Sequence, residues 1–131
     1  MNQLDDLPLA QQSFAYRDLI GQDKWTAWTP LRTGWTDVGT PTVTGRFRVV
    51  GRQCFVQVKV VPGTTVATVA GTSYIALPIA ATGLAGEGSM MNITTLVAVG
   101  VCAVDVTNSR VYVPAQLATG NTLTIAGQYE I

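Results

Sequence analysis

The strongest pattern in this chain is an alternation of apolar and polar positions with a period of two. Thr42-Val-Thr-Gly-Arg-Phe-Arg-Val-Val50 is followed by Gly51-Arg52 and then by Gln53-Cys-Phe-Val-Gln-Val-Lys-Val-Val61. Two β-branched runs around a two-residue turn containing glycine predict an antiparallel hairpin. In the second run Gln53, Gln57 and Lys59 share the parity of Phe55, while Cys54, Val56, Val58 and Val60 take the other. Side chains alternate across a strand, so one face is expected to be core and the other half-wet.

Similar but shorter signals fill most of the remaining chain. Trp25-Thr-Ala-Trp28 and Gly34-Trp35-Thr-Asp-Val38 are aromatic and Thr-rich, with Pro30 and Pro41 as punctuation. Tyr74-Ile-Ala-Leu-Pro78, Met90 to Thr95, Leu96 to Val104 and Val111-Tyr-Val113 read as strands, and Asn108-Ser109 reads as a reversal. Thr122-Leu-Thr-Ile-Ala-Gly-Gln-Tyr-Glu-Ile131 alternates to the end of the sequence, which places this strand inside a sheet. Stretches 62–72 and 80–89 are small and polar and read as loops. Eight to ten short strands with Gly and Pro between them predict an all-β fold, an antiparallel, jelly-roll-like β-sandwich. No internal repeat is visible.

The pattern changes near residue 24. Residues 8–20 suit a short helix, with Pro8 at a first-turn position and Gly21 where a helix stop is expected. Leu7, Ala10 and Phe14 form one stripe, and Leu9, Tyr16 and Ile20 form another. A helix this short is marginal alone in water, so it needs a surface to dock on. That surface is either its own domain or another subunit. The expected organisation is an N-terminal arm, residues 1–24, and a β-domain, residues 25–131.

Composition narrows the function. At 131 residues the chain has the size of one domain, and 47% hydrophobic with 12% charged residues excludes a disordered class for most of it. Eight basic and eight acidic residues cancel, with no long basic run, which argues against nucleic acid. No apolar run is long enough for a membrane span, and the acidic start does not resemble a secretory signal. There is no histidine, so the usual general base and the commonest metal ligand are missing. Cys54 and Cys102 sit alone in apolar runs, without metal-ligand spacing, and read as two buried reduced thiols.

Candidate chemistry is correspondingly thin. Gly83-Leu-Ala-Gly86-Glu-Gly88 is followed by a strand pattern, whereas a phosphate cradle requires a helix there. Asp105, after Val101-Cys-Ala-Val104, could be half of a catalytic carboxylate pair, but the Asp-Val-Thr-Asn turn accounts for it more simply. Asn92-Ile-Thr94 matters as a glycosylation acceptor only in a secreted eukaryotic protein. Arg46 and Arg48 share one strand face, expected to be solvated or to pair with carboxylates of another subunit. Trp25, Trp28 and Trp35 suggest a sugar-stacking platform, yet Trp25 and Trp28 are three apart and fall on opposite faces of a strand. A core cap or a subunit interface suits them better. No catalytic residue, cofactor site or metal site is expected.

Gly45-Arg-Phe-Arg-Val-Val-Gly-Arg-Gln-Cys-Phe-Val-Gln-Val58, then Ile75-Ala-Leu-Pro78, then Ala126-Gly-Gln-Tyr129, resemble the C-terminal β-domains of bacteriophage tail fibres and related virion spike proteins. The resemblance covers residues 25–131. It implies a homotrimeric, non-enzymatic virion structural protein whose N-terminal segment attaches to other virion proteins and whose distal loops bind a host cell-surface glycan or protein. On that basis the arm residues are Leu7, Leu9, Phe14, Tyr16 and Ile20. The receptor-binding candidates are Thr64, Thr65, Thr68, Thr82, Glu87 and Ser89, chosen from the two loop stretches. The chain has no fibre shaft or coiled coil, so a short spike, a head or collar fibre is expected. A capsid decoration or cement protein and a monomeric carbohydrate-binding module are the alternatives.

Overall fold

The computed structural model describes residues 24–84 and 86–131. The expected helical arm and its residues Leu7, Leu9, Phe14, Tyr16 and Ile20 lie outside them. Twelve strands follow in chain order: β1 (Thr26–Trp28), β2 (Arg32–Thr33), β3 (Thr36–Val38), β4 (Thr42–Val50), β5 (Gln53–Val61) and β6 (Thr65–Thr68). Then come β7 (Tyr74–Ala76), β8 (Gly86–Asn92), β9 (Val97–Asp105), β10 (Arg110–Tyr112), β11 (Gln116–Thr119) and β12 (Leu123–Glu130).

The fold is all-β and antiparallel. Nine strands form one sheet in the order β1-β4-β5-β12-β8-β9-β10-β7-β2, and β11-β6-β3 form a second. The predicted hairpin is β4–β5, with Val50 opposite Gln53. Gly51 takes the left-handed conformation at the turn, φ 60°, which a side chain would disfavour. The last strand, β12, lies inside the sheet between β5 and β8.

The two edges of the large sheet, β1 and β2, are separated in sequence only by Thr29-Pro30-Leu31. Four residue steps reach at most about 14 Å, whereas eight strand spacings across a flat sheet would be about 38 Å. The sheet therefore curls until its edges approach. Pro30 and Trp28 press on the inner side of β4 at Gly45, where a Cβ would stand 2.6 Å from Pro30 Cγ and 2.8 Å from Trp28 Cε3.

Inside the curl lie Val58, Val60, Ile75, Met90, Cys102, Val111, Leu123 and Ile125. Val66 of the small sheet joins this cluster, so that sheet closes the end where β5 and β8 finish and β12 begins. At the other end Cys54, Val56 and Tyr129 pack under Leu77, Ile79 and Ala81. The buried polar side chains of Ser73 and Thr68 have partners, as burial requires. Ser73 Oγ donates to Gly34 O (2.7 Å) and accepts from Val69 N (2.8 Å), and Thr68 Oγ1 donates to Pro114 O (2.7 Å). Arg32 makes a bidentate pair with Asp37 (3.0 and 2.9 Å), fastening β2 to β3 across the two sheets.

Both expected loops are shorter than the sequence suggests. β6 runs inside 62–72, and β8 begins at Gly86, so Thr65, Thr68, Glu87 and Ser89 belong to strands. Thr68 is buried and bonded inward, which removes it as a surface contact. The three tryptophans do not form a platform. Trp28 and Trp35 pack on the core, and Trp25 lies under the guanidinium groups of Arg46 (4.5 Å) and Arg48 (4.9 Å).

Candidate functional site

The outer wall of the curled sheet can be read row by row from its register. One row runs Arg46, Gln57, Ala126, Ser89, Val101 across β4, β5, β12, β8 and β9. The row on one side is Thr44, Lys59, Thr124, Met91, Ala98. The row on the other is Arg48, Phe55, Gln128, Glu87, Ala103, and it continues through Tyr112 and Tyr74.

Small residues at the centre of these rows leave a trough. Two shallow depressions, of about 470 and 480 Å³, meet at Ala126. The first is walled by Thr44, Arg46, Gln57, Lys59 and Thr124, and the second by Phe55, Glu87, Ser89, Val101 and Gln128. Arg46 Nε donates to Gln57 Oε1 (2.8 Å), and Gln128 Nε2 donates to Glu87 Oε1 (3.3 Å), so each depression has one side-chain pair held in place. Gly88 is required beneath the second, since a Cβ there would stand 2.7 Å from Ala126 O.

Beyond Val101 the wall becomes apolar. Val101, Ala103, Tyr112, Pro114, Ala115 and Ala70 line a further groove of about 540 Å³ with no charged residue. Nearby on the same strand and its leading turn, Val97 and Leu96 are 59% and 78% exposed. Leu96 also has a φ of 58°, unusual for a residue other than glycine. Tyr74 and Tyr112 meet edge-on with centroids 5.3 Å apart, and Arg110 lies over Tyr74 at 4.4 Å. The hydroxyl of Thr33 and the Arg110 guanidinium hold the Tyr74 phenol below its ordinary range.

The receptor candidates chosen from sequence are not brought together. Thr64 and Thr65 lie at the end closed by the small sheet, where Thr64 N donates to Val38 O (2.7 Å). Thr82 lies at the opposite end, its amide bonded to Glu130 O (2.8 Å). Glu87 and Ser89 alone enter the trough. Arg46, Gln57, Lys59, Thr124 and Gln128 complete it, although none of them was a receptor candidate and Arg46 was read only as solvated or as pairing with carboxylates of another subunit. Their signal was the polar parity of the hairpin and of the last strand.

Cys54, Cys102 and Asp105 lie outside the trough. Burial raises the Cys102 thiol to about 11 and raises Cys54 as well, so both stay protonated and unreactive near neutral pH. Asp105 accepts from Asn108 N (3.2 Å), from Asn108 Nδ2 (2.9 Å) and from Arg110 Nε (3.4 Å). This is the turn role that its sequence context predicts. The Asn108 side chain, more than any other group, keeps its carboxyl below the usual range. Among the described residues no three His, Cys, Asp or Glu side chains are placed to hold a metal.

No protein-family model, no curated protein and no solved structure matches the chain.

Proposed function

We propose that this chain is a non-enzymatic bacteriophage virion structural protein, a short trimeric fibre or spike used in host-surface attachment. The observation that carries this reading is the division of the outer wall. An uncharged groove around Val101 and Ala103 adjoins a trough walled by amides, hydroxyls, two cations and the Glu87 carboxylate. Apolar surface of this kind is stable when covered. In this reading a second copy of the chain covers it, and the cycle closes at three. The polar trough stays outside and meets the host glycan or protein. The curled sheet plays the part of the jelly-roll-like sandwich of such spikes, and residues 1–24 dock on other virion proteins. No cofactor is involved.

Light scattering tests the reading. A solution mass three times 13.9 kDa is the expected result. A monomer at micromolar concentration would overturn the spike and favour a monomeric carbohydrate-binding module, which the trough alone would serve. A trimer that stabilises particles without affecting adsorption would favour a capsid cement protein.

A further inference from the structure

We infer that the trough takes an acidic saccharide, with its carboxylate at Arg46 and Lys59 and its ring over Ala126. The inference rests on the attachment reading and names the ligand class of that site.

The charge inventory is the starting point. Residues 24–131 contain seven Lys and Arg against four Asp and Glu. Of the four acids, Asp37 is held by Arg32 and Asp105 by Arg110. Arg46 and Lys59 have no carboxylate partner among the described residues. Arg46 opposes Gln57 and Lys59 opposes Thr44, so the two cations are diagonal neighbours on the same face. That diagonal is about 7–8 Å in an antiparallel pair, close enough for one anionic group to meet both side chains. Like charges this close repel unless an anion lies between them, and the terminal nitrogens of Arg46 offer a carboxylate the paired geometry it favours.

The surroundings specify more than an anion. Gln57 Oε1 accepts from Arg46 Nε, which fixes the guanidinium at the wall of the trough. Trp25 supports the same group from beneath at 4.5 Å. Thr44 and Thr124 add hydroxyls, and Ala126 provides an apolar floor, which suits the C–H face of a pyranose. Further along lie Ser89, Gln128 and Glu87. These accept and donate hydrogen bonds as sugar hydroxyls require, and a carboxylate such as Glu87 would reject a second anion there. The trough is therefore polar in direction, with an anion-binding end on β4–β5 and a hydroxyl-binding end on β8. Nucleic acid or a polyphosphate, charged at every unit, fits only the first end.

The test is calorimetric titration of the full chain with a short oligosaccharide that carries a single terminal glucuronate on otherwise neutral sugars, a neutral malto-oligosaccharide of equal length and a single-stranded DNA of equal length. The expected result is binding of the singly charged uronate oligosaccharide alone. Arg46→Gln and Lys59→Gln should each weaken it at least about tenfold, as loss of a charge-assisted contact implies. Arg52→Gln, the same charge change at the exposed hairpin turn, should leave it within about twofold, since surface charges beyond a Debye length are screened. Lys59 is exposed, so its variant stays informative if Arg46→Gln loosens Trp25. Equal binding of the neutral sugar overturns the acidic specificity and leaves the attachment reading standing. No saccharide binding, equal binding of the DNA, or equal losses at Arg46 and Arg52 overturns the inference. A monomeric mass would instead overturn the spike.

Discussion

The phenol of Tyr129 is bonded twice to one residue: it donates to Ile79 O at 2.8 Å and accepts from Ile79 N at 3.3 Å. Tyr129 is 1% exposed and stands near the end of the last strand, so this pair ties segment 77–81 over the open end of the curl. Tyr129→Phe keeps the packing and strands both backbone groups of Ile79. The expected loss is about 1–3 kcal/mol, seen as a lower urea midpoint with an unchanged slope. An unchanged midpoint would mean that water satisfies Ile79.

Gly45 is where the edge strand and its following proline close on β4. Gly45→Ala would push a methyl group into Pro30 and Trp28. Overpacking of this kind costs about 1–3 kcal/mol, and tryptophan emission should shift with it as Trp28 moves. Gly51→Ala is the contrasting case, with open space around its Cβ but a φ of 60°. Its cost of roughly 1 kcal/mol comes from the backbone alone, with no change in emission.

The buried thiols make stability depend on alkaline pH. Burial raises Cys102 from the ordinary value of 9.0 to about 11, so the folded state binds its proton more tightly than the unfolded state does. The resulting contribution is complete below about pH 9 and is lost as pH rises through about 11. Thermal unfolding should show a falling midpoint over this window, and Cys102→Ala should flatten it. At neutral pH neither cysteine should react with a thiol reagent until the protein unfolds.

Val101 is 78% exposed within the uncharged groove. In a single chain Val101→Lys should change stability by less than about 0.5 kcal/mol, because it touches little. In the proposed trimer it places a charge inside an apolar interface and should yield monomers by light scattering. A trimer that survives this substitution would move the interface to another face.

The hairpin β4–β5 was legible because alternation, β-branching and a glycine turn all agree over Thr42–Val50 and Gln53–Val61. Strands β2, β6 and β11 were not: unlike the similarly short β1, β3, β7 and β10, they have no aromatic residue within or directly beside them, and each is held by its neighbours in space. The start of β8 was hidden for a different reason. Gly86-Glu-Gly88-Ser reads as loop composition, whereas here the glycines admit the close approach of β12. The same limit applied to the site. The polar parity of Arg46, Gln57 and Lys59 was visible, but their meeting with Ser89 and Glu87 depends on β12 lying between β5 and β8. No local pattern encodes which strand neighbours which, and the loop-based candidates Thr64, Thr65 and Thr82 fell at opposite ends as a result.

The short Thr29-Pro30-Leu31 connection also has a kinetic meaning. Val50 and Gln53 can meet within microseconds of collapse, as hairpins do. Thr33 must find Tyr74, and Leu123 must find Val60, across 41 and 63 positions of chain. Loop-closure entropy is spent on these pairings before they return any contact, which places this topology among folders of the millisecond-to-second range. Because β1 and β2 are tethered to each other, neither edge can settle far from where the other docks, and the expected late step of folding is the joint capture of both. Until that step the chain exposes two unpaired strand margins at once, and crowded nascent copies are then most prone to pair with one another.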